Sequence, residues 1–345
     1  MSLFIEDLNQ IIFYSKKDLL SLKKANIFIS GGTGYIGKWI LETLIFSNKI
    51  LNLNLKVILL SRNPVEFEKN YPHIAKDRAL KIIKGDIRNF KFPKNKIDYV
   101  IHAATDVVKS ITPIENFDVI SNGTKHILEF CKLKNIKDIL ILSSGAVYGS
   151  VPQRIKKIPE NYFGFPDLND PGSAYGLGKL ISEWMGKIYS NKYFFSCKYA
   201  RIFAQVGPYL ALNKQYVVGN LIYNLINEDD LIIKGNGKVK RSYMYGTDLI
   251  IWLLAILVRG KNNQAYNVGS DQAISIKDLA KKIALTNNYP IKRIKVLNEK
   301  FSNFGNRDYI PNTSLAKKEL SLRLITPLDV SLNKTIQWFL SKEKI

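Results

Sequence analysis

The sequence predicts an α/β fold in which helices cover both faces of a doubly wound parallel sheet, followed by a smaller C-terminal α/β domain. Three observations support this prediction. Short apolar runs alternate with helical patterns from Ala25 onward, a glycine-rich turn follows the first run, and turn-forming residues become denser after Gly207. This alternation is typical of parallel sheets, because each crossover between parallel strands usually carries a helix.

The predicted elements follow in chain order. Residues 1–24 carry apolar side chains at helical spacing and predict an N-terminal helical extension. Short apolar runs bounded by turn residues predict strands at 26–30, 56–61, 80–84, 97–101 and 138–143. Helical spacing predicts helices at about 35–47 and 113–134.

Two unequal domains are predicted. The first covers residues 25–205 and the second covers residues 206–345, with some segments of the second returning to the first. Since neither a low-complexity linker nor an internal repeat separates them, we expect the two domains to pack together.

Composition excludes several classes of protein. A chain with 46% hydrophobic and 23% charged residues is expected to be soluble and globular. Its start lacks the charged and apolar regions of a signal peptide, and no segment offers about 18 uninterrupted apolar residues. We therefore expect a cytoplasmic protein without membrane contact.

Charge and cysteine content add further limits. The net charge is +22, but the lysines are scattered rather than gathered into a basic tract, which argues against nucleic acid as a partner. Cys131, Cys197 and the three histidines lack the spacing of a disulfide framework or a zinc site. We therefore expect chemistry without a metal.

The glycine-rich turn predicts dinucleotide binding. Glycine at positions 31 and 34 permits a tight turn and the close approach of a diphosphate, and Gly37 lets the helix pack on the strand. Backbone N–H groups at the helix start would face the phosphates, helped by the positive end of the helix dipole. The predicted contacts are Gly31, Thr33, Gly34, Tyr35, Ile36 and Gly37.

The ends of two further strands predict the rest of the dinucleotide site. Asp86 follows the third strand, where a carboxylate can accept a hydrogen bond from the adenine amino group, and the adjacent Ile87 is predicted to contact the cofactor as well. At the end of the second strand, where an acid would hold a ribose hydroxyl, the chain has Arg62. A guanidinium suits a 2′-phosphate, so NADP is favoured over NAD, and both remain candidates.

A tyrosine, a lysine and a serine form the predicted catalytic group. Tyr175 and Lys179 fall on one face of a helix. Lowering the pKa of a phenol by ~3 units needs ~4 kcal/mol. One cation at ~4 Å supplies about this energy at an effective dielectric constant of ~20. Ser144, at the end of a strand, is placed to donate to the same substrate oxygen.

Together these motifs resemble the extended short-chain dehydrogenases/reductases of the nucleotide-sugar epimerase/dehydratase family, which includes UDP-galactose 4-epimerase. The resemblance extends from about Ala25 to Leu322. Its anchors are residues 31–37, Gly85 with Asp86, 102–104, Ser143 with Ser144, 147–149, Tyr175 with Lys179, Gly207 with Pro208, Arg241 with Asp248, and 266–269.

The resemblance implies a Rossmann domain that binds NAD(P) and a C-terminal domain that binds a nucleotide-diphosphate sugar. It implies that Tyr175 is the catalytic base, that Lys179 lowers the pKa of this phenol and holds the nicotinamide ribose, and that Ser144 is their hydroxyl partner. Hydride would then pass between the nicotinamide and C4 of the sugar. The further residues implied are Ala103 and Ala104 for the cofactor, and Asp106, Gly145, Arg241 and Arg307 for the substrate.

Departures from the family pattern narrow the expected reaction. Gly145 and Ala146 stand where dehydratases and decarboxylases of the family carry acidic residues, so the usual acid for elimination is missing. This favours a 4-epimerase or a 4-ketoreductase. A 4,6-dehydratase remains an alternative, because Asp106 can supply a carboxylate from another direction. Ala204 and Ile120 replace family asparagines, which indicates an unusual mode of substrate binding.

A hypothesis from a different class is a cofactor-binding regulator or an RNA-binding protein that kept the fold without the reaction. The presence of Tyr175, Lys179 and Ser144 favours an enzyme instead. The resemblance also implies a homodimer formed through helices near 113–134 and 173–190, and a role in polysaccharide biosynthesis.

Overall fold

The computed structural model describes residues 2–105, 112–214, 216–297 and 308–342. The helices are α1 (Ile5–Ser21), α2 (Tyr35–Ile50), α3 (Pro64–Asn70), α4 (Pro72–Ala75), α5 (Pro113–Leu133), α6 (Ala174–Tyr193), α7 (Val217–Ile226), α8 (Gly246–Arg259), α9 (Ile276–Thr286), α10 (Ser314–Leu320) and α11 (Leu328–Lys342). The strands are β1 (Asn26–Ser30), β2 (Lys56–Ser61), β3 (Leu80–Lys84), β4 (Tyr99–His102), β5 (Asp138–Ser144), β6 (Ser196–Ile202), β7 (Gln205–Val206), β8 (Leu231–Ile233), β9 (Lys240–Arg241), β10 (Met244–Tyr245), β11 (Ala265–Val268), β12 (Ile274–Ser275) and β13 (Ile294–Val296). No helix in these ranges combines the length and the apolarity that a membrane span requires.

A seven-stranded sheet forms the centre of the molecule, in the order β11-β6-β5-β4-β1-β2-β3. All of its strand pairs are parallel. The chain runs outward from β1 in one direction as far as β3 and then in the other direction from β4, so the strand order reverses between β1 and β4. Open α/β sheets bind ligands at such a reversal, outside the carboxyl ends of the strands. The predicted doubly wound parallel sheet is therefore confirmed.

One strand begins later than the sequence pattern predicts. The apolar run predicts a strand at 97–101, whereas β4 starts at Tyr99. Ile97 is buried, but the carboxylate of Asp98 accepts a hydrogen bond from the backbone N–H of Asn26 at 2.8 Å. The backbone N–H of Asp98 still donates to the carbonyl oxygen of Asn26 at 2.9 Å, but the N–H of Asn26 bonds to a side chain, and the regular ladder begins at Tyr99.

Hydrophobic clusters cover both faces of the sheet. One contains Trp39 of α2 and Trp252 of α8, and it continues into α7 and α9 of the C-terminal region. The other contains Phe28 of β1 and Phe130 of α5, whose ring centroids are 4.9 Å apart. Because the first cluster joins residues from both regions, the two regions share a core.

The N-terminal segment forms a single helix, α1, that packs on α8. Asp7 of α1 is fully buried. Its carboxylate accepts hydrogen bonds from the Tyr245 hydroxyl at 2.6 Å and from Lys334 Nζ at 2.5 Å. These contacts tie α1 to both β10 and α11.

The C-terminal region contains small sheets rather than one large sheet. The pair of β8 and β13 is parallel, and the pair of β9 and β12 is antiparallel. The segment from α8 to β11 lies in the layers of the large sheet, since β11 pairs with β6. One strand from the sequence after residue 206 therefore belongs to the large sheet.

Candidate active site

The glycine-rich turn lies at the carboxyl edge of the sheet, directly against the loop that follows β4. Gly31 has a φ of +75°, and a Cβ on it would lie 2.4 Å from the backbone carbon of Ala103. A Cβ on Gly37 would lie 2.3 Å from the Cα of Gly32. Only glycine permits these two approaches, which bring the start of α2 close to the ends of β1 and β4.

The N-terminus of α2 points to the same edge. Its N-cap is Gly34, which contributes no side-chain hydrogen bond, and both Thr33 and Gly34 are exposed. Tyr35 and Ile36 are half-buried behind the turn. Among the described residues, no hydrogen-bond partner reaches the buried hydroxyl of Tyr35. Backbone N–H groups in the first helical turn therefore suit an anionic group such as a diphosphate.

Lys179 lies on α6 and reaches under the loop after β4. It is 4% exposed, and its Nζ donates to Thr105 Oγ1 at 2.6 Å and to the carbonyl oxygen of Leu142 at 2.7 Å. Burial lowers the pKa of Lys179 to about 7. Thr105 is not predicted as a site residue by any sequence motif, although it directly follows the half-buried pair Ala103 and Ala104.

Ser144 and Tyr175 meet where β5 ends. The Ser144 oxygen accepts the backbone N–H of Ala146 at 3.1 Å. Burial raises the pKa of Tyr175 to about 12, and a hydrogen bond with Ser144 opposes this rise. Lys179 Nζ is 5.9 Å from the centroid of the Tyr175 ring. The structure therefore brings the predicted serine, tyrosine and lysine together.

Two glycines beside Tyr175 explain how α6 approaches the sheet edge. A Cβ on Gly176 would lie 2.7 Å from the carbonyl oxygen of Ala146. A Cβ on Gly178 would lie 3.0 Å from the side chain of Ile120, which is buried between α5 and α6. Small residues at these positions let the helix pack closely enough for Tyr175 to contact Ser144.

A buried histidine connects the elements that carry the site. His102 Nδ1 is 2.8 Å from Ser30 Oγ, and its Nε2 is 3.1 Å from Thr124 Oγ1. Burial, with a smaller contribution from the Lys179 ammonium, lowers the pKa of His102 to about 3. The ring is therefore neutral near pH 7 and links β1, β4 and α5 through hydrogen bonds.

The residues predicted to contact the adenosine end lie along the outer strands. Asp86 is paired with Arg88, through Nε to Oδ1 at 2.8 Å and Nη2 to Oδ2 at 2.9 Å. These hydrogen bonds are the main reason why the pKa of Asp86 is lowered, and Arg62 adds to the effect. Arg62 is exposed after β2, while Ile87 is buried against Gly123. Part of the hydrogen-bonding capacity of Asp86 is thus already used by Arg88, whose role the sequence pattern did not predict.

The structure describes some of the predicted substrate residues. A Cβ on Gly145 would lie 2.3 Å from the hydroxyl of Tyr309. The guanidinium carbon of Arg241 is 5.9 Å from the centroid of the same ring, and Arg241 donates to the carbonyl oxygen of Lys240 at 2.9 Å. Asp106 and Arg307 lie outside the described residues. The sequence carries no signal for Tyr309 at this site, because it is distant in the chain and belongs to no motif.

Comparison with known proteins finds curated relatives that are named for different activities. UDP-glucuronic acid decarboxylase 1 of Xenopus tropicalis is 25% identical over 339 residues, covering 97% of this chain and 76% of that protein. dTDP-D-glucose 4,6-dehydratase of Dictyostelium discoideum is 30% identical over 295 residues, covering 78% of this chain and 63% of that protein.

Solved structures show the same architecture. UDP-glucose 4-epimerase of Thermotoga maritima, solved with UDP-glucose, superposes with a TM-score of 0.78 at 21% identity, covering 92% of this chain and 99% of that one. dTDP-glucose 4,6-dehydratase of Bacillus anthracis, solved with NAD, gives a TM-score of 0.79 at 20% identity, covering 93% and 98% of the two chains. A family model described as the NAD dependent epimerase/dehydratase family matches residues 27–269. On this evidence, and with the fold and the edge site described above, the chain belongs to the NAD-dependent epimerase/dehydratase family.

Proposed function

We propose that this protein is an NAD(P)-dependent enzyme that acts at C4 of a nucleotide-diphosphate sugar, as a 4-epimerase or a 4-ketoreductase. The observation that carries the proposal is the convergence of Ser144, Tyr175 and Lys179 beside the open N-terminus of α2. Family membership supports it, since the Thermotoga maritima relative is named as a UDP-glucose 4-epimerase.

The glycine-rich turn fits a dinucleotide. Gly34 has open space on its outer side, since within the described part of the chain a Cβ there would meet only the carbonyl oxygen of Gly31, at 3.4 Å. Residues 31–37 would hold the diphosphate, Ala103 and Ala104 would line the site, and Lys179 would hold a ribose. A bound nicotinamide supplies the hydride donor or acceptor.

Tyr175 would exchange a proton with the C4 oxygen of the sugar. As a neutral phenol it donates this proton when a ketone is reduced, and as a phenolate it accepts the proton when an alcohol is oxidised. The Ser144 hydroxyl would hydrogen-bond to the same oxygen and stabilise the charge that develops there. Lys179 stays in place because Thr105 and Leu142 hold its ammonium group.

The nucleotide diphosphate would contact Arg241. Burial lowers the pKa of this guanidinium, because burial disfavours its charged form. An anionic phosphate would offset the lost hydration and can accept two parallel hydrogen bonds from one guanidinium. Asp106 and Arg307 remain proposed substrate contacts, and they rest only on the resemblance of the sequence to the family.

A 4,6-dehydratase is the second candidate. The relatives from Dictyostelium discoideum and Bacillus anthracis favour it, because both are named as dTDP-glucose 4,6-dehydratases. Elimination of water requires an acid near the sugar, and neither Gly145 nor Ala146 next to Ser144 can supply one. We therefore place simple redox chemistry at C4 ahead of elimination.

Two finer features complete the proposal. We infer that NADP is preferred over NAD, because Arg62 is exposed at the end of β2, where a carboxylate would otherwise repel a 2′-phosphate. We also infer a homodimer, because Trp184 of α6 and Leu133 of α5 are 61% and 64% exposed. Both lie on the helices through which the family resemblance implies a dimer, and exposed apolar patches mark protein interfaces.

The experiment is to incubate the purified protein with a panel of UDP-, dTDP-, GDP- and CDP-sugars and either cofactor, followed by chromatography and mass spectrometry. Epimerisation gives an unchanged mass at a new retention time, and reduction adds two hydrogens. Loss of one water would move the assignment to a dehydratase. If every sugar returns unchanged while RNA binds in a salt-sensitive manner, the enzymatic proposal is wrong.

A further inference from the structure

Tyr309 brings a second phenol to the proposed catalytic group. A Cβ on Gly145 would lie 2.3 Å from the Tyr309 hydroxyl oxygen and 2.8 Å from the ring carbon that bears it. Distances below about 3 Å are not tolerated between a Cβ and these atoms. The phenol therefore occupies its position only because residue 145 has no side chain.

The backbone on either side of Tyr309 is fixed by hydrogen bonds. Its N–H donates to the carbonyl oxygen of Lys240 at 3.2 Å, and the N–H of Ile158 donates to the carbonyl oxygen of Ile310 at 2.8 Å. The ring packs on Phe203, with the centroids 4.4 Å apart at an angle of 32°. This part of the chain is therefore held from both sides, which fixes the direction of the phenol.

The Ser144 hydroxyl has two phenols beside it and can donate to only one of them. A serine hydroxyl has one hydrogen to donate and two lone pairs that accept. One lone pair takes the N–H of Ala146 at 3.1 Å. Both Tyr175 and Tyr309 hydrogen-bond to Ser144. If Tyr309 donates to the second lone pair, the hydrogen of Ser144 is left free to point to Tyr175.

We propose that Tyr309 is a positioning residue, whose hydroxyl donates to Ser144 and thereby directs the Ser144 hydrogen to the oxygen that Tyr175 serves. The proposal rests on the function proposed above, because it assigns Ser144 and Tyr175 to the reaction. It names a role for Gly145 as well, since only glycine leaves room for the phenol.

The surrounding charges agree with Tyr309 acting as a donor. Burial raises the pKa of Tyr309 well above its usual range, and the neighbouring Tyr175 and Tyr148 add to this rise. The hydrogen bond with Ser144, and to a smaller extent the Arg241 guanidinium, oppose this rise without reversing it. Tyr309 is therefore a neutral phenol at pH 7 and keeps its proton for donation. A donor to Ser144 also strengthens the bond that Ser144 donates, because linked hydrogen bonds polarise one another.

The test is Tyr309→Phe, which keeps the ring on Phe203 and removes only the hydroxyl. With a sugar that the parent protein converts, we expect kcat to fall on the order of tenfold and KM to change by less than about twofold. The limb of the pH–rate profile that reports Tyr175 should move to higher pH, because a less directed Ser144 stabilises the Tyr175 phenolate less. This is the acidic limb for oxidation of an alcohol and the alkaline limb for reduction of a ketone. The matched control is Tyr162→Phe, a phenol that packs in the same aromatic cluster and donates to the carbonyl oxygen of Ser150.

A second measurement does not need turnover. Fluorotyrosine placed at position 175 can be titrated by fluorine NMR with NAD present, in the parent protein, in Tyr309→Phe and in Tyr162→Phe. We expect the pKa at position 175 to rise in Tyr309→Phe alone. This shift without any converted sugar would support the role of Tyr309 while contradicting the proposed reaction. No shift, with kcat unchanged or with KM alone increased, would overturn the role of Tyr309.

Discussion

Burial shifts the pKa values of the two central side chains in opposite directions. The pKa of Tyr175 rises to about 12 and that of Lys179 falls to about 7, since both groups lose hydration in their charged forms. A neutral phenol suits donation of a proton to a ketone oxygen. The ammonium of Lys179, 5.9 Å from the ring centroid, does not by itself offset the burial of Tyr175.

Cofactor choice is a property of single residues at this edge. Replacing Arg62 by Asp should lower the ratio of kcat/KM for NADPH to kcat/KM for NADH at least tenfold. The reason is that a carboxylate accepts hydrogen bonds from ribose hydroxyls and repels a 2′-phosphate. A tenfold change corresponds to about 1.4 kcal/mol. Steady-state kinetics with both cofactors measure this ratio. Lys56→Asp is the matched control, since Lys56 is an exposed cation at the opposite end of the same strand. An equal loss with both cofactors would contradict the inferred preference.

Residue-level features were predictable where spacing carries the chemistry. Tyr175 and Lys179 were found because residues four apart share a helix face, and Ser144 was found because it ends a strand. Thr105 and Tyr309 were not found. Their roles depend on contacts between distant segments, and such contacts leave no local pattern.

At the scale of elements, His102 connects β1, β4 and α5. Its pKa in the folded protein is lowered to about 3, whereas an unfolded chain takes up a proton near pH 6.5. Stability from this group is therefore complete above about pH 6.5 and is lost as the pH falls towards 3. Between about pH 6.5 and pH 5 the loss amounts to ~2 kcal/mol, at ~1.4 kcal/mol per unit.

Urea unfolding at about pH 7 and about pH 5 measures this loss. His102→Gln should be less stable than the parent at neutral pH but should lose ~2 kcal/mol less on acidification, because the titrating ring is gone. The same pH dependence in both proteins would show that the neutral histidine is not responsible.

The type and order of the elements followed from the apolar pattern. The strands at 26–30, 56–61 and 80–84 have the predicted bounds, because in each a short, mainly apolar run stands between turn residues. The late start of β4 depends on Asp98, whose carboxylate bonds to a different strand. The return of β11 to the large sheet depends on pairing between residues 66 apart in sequence, such as Ala265 and Tyr199, and periodicity carries no information on such pairing.

At the scale of the whole molecule, α5 and α6 expose an apolar face. Trp184 and Ile188 of α6 are 61% and 44% exposed, and Leu133 of α5 is 64% exposed. We expect analytical ultracentrifugation to show a dimer at micromolar concentrations. Trp184→Glu should weaken the dimer by at least about tenfold, since a buried charge without a partner costs several kcal/mol.

Phe13→Glu is the control for the dimer, because Phe13 is 75% exposed on α1, outside α5 and α6. It should leave the sedimentation coefficient unchanged. A parent protein that sediments as a monomer, or an equal effect of both substitutions, would contradict the inferred interface. The sequence alone indicated this face only through resemblance to a family, because surface exposure cannot be read from apolar spacing.

The central claim is that the phenol of Tyr175 carries the proton in chemistry at C4 of a nucleotide sugar. The most direct measurement compares Tyr175→Phe with the parent protein in the conversion of one sugar, with cofactor affinity measured in parallel by fluorescence. We expect turnover to fall on the order of a thousandfold while the dissociation constant of the cofactor changes by less than about twofold. Turnover at the parent rate in Tyr175→Phe would contradict the account.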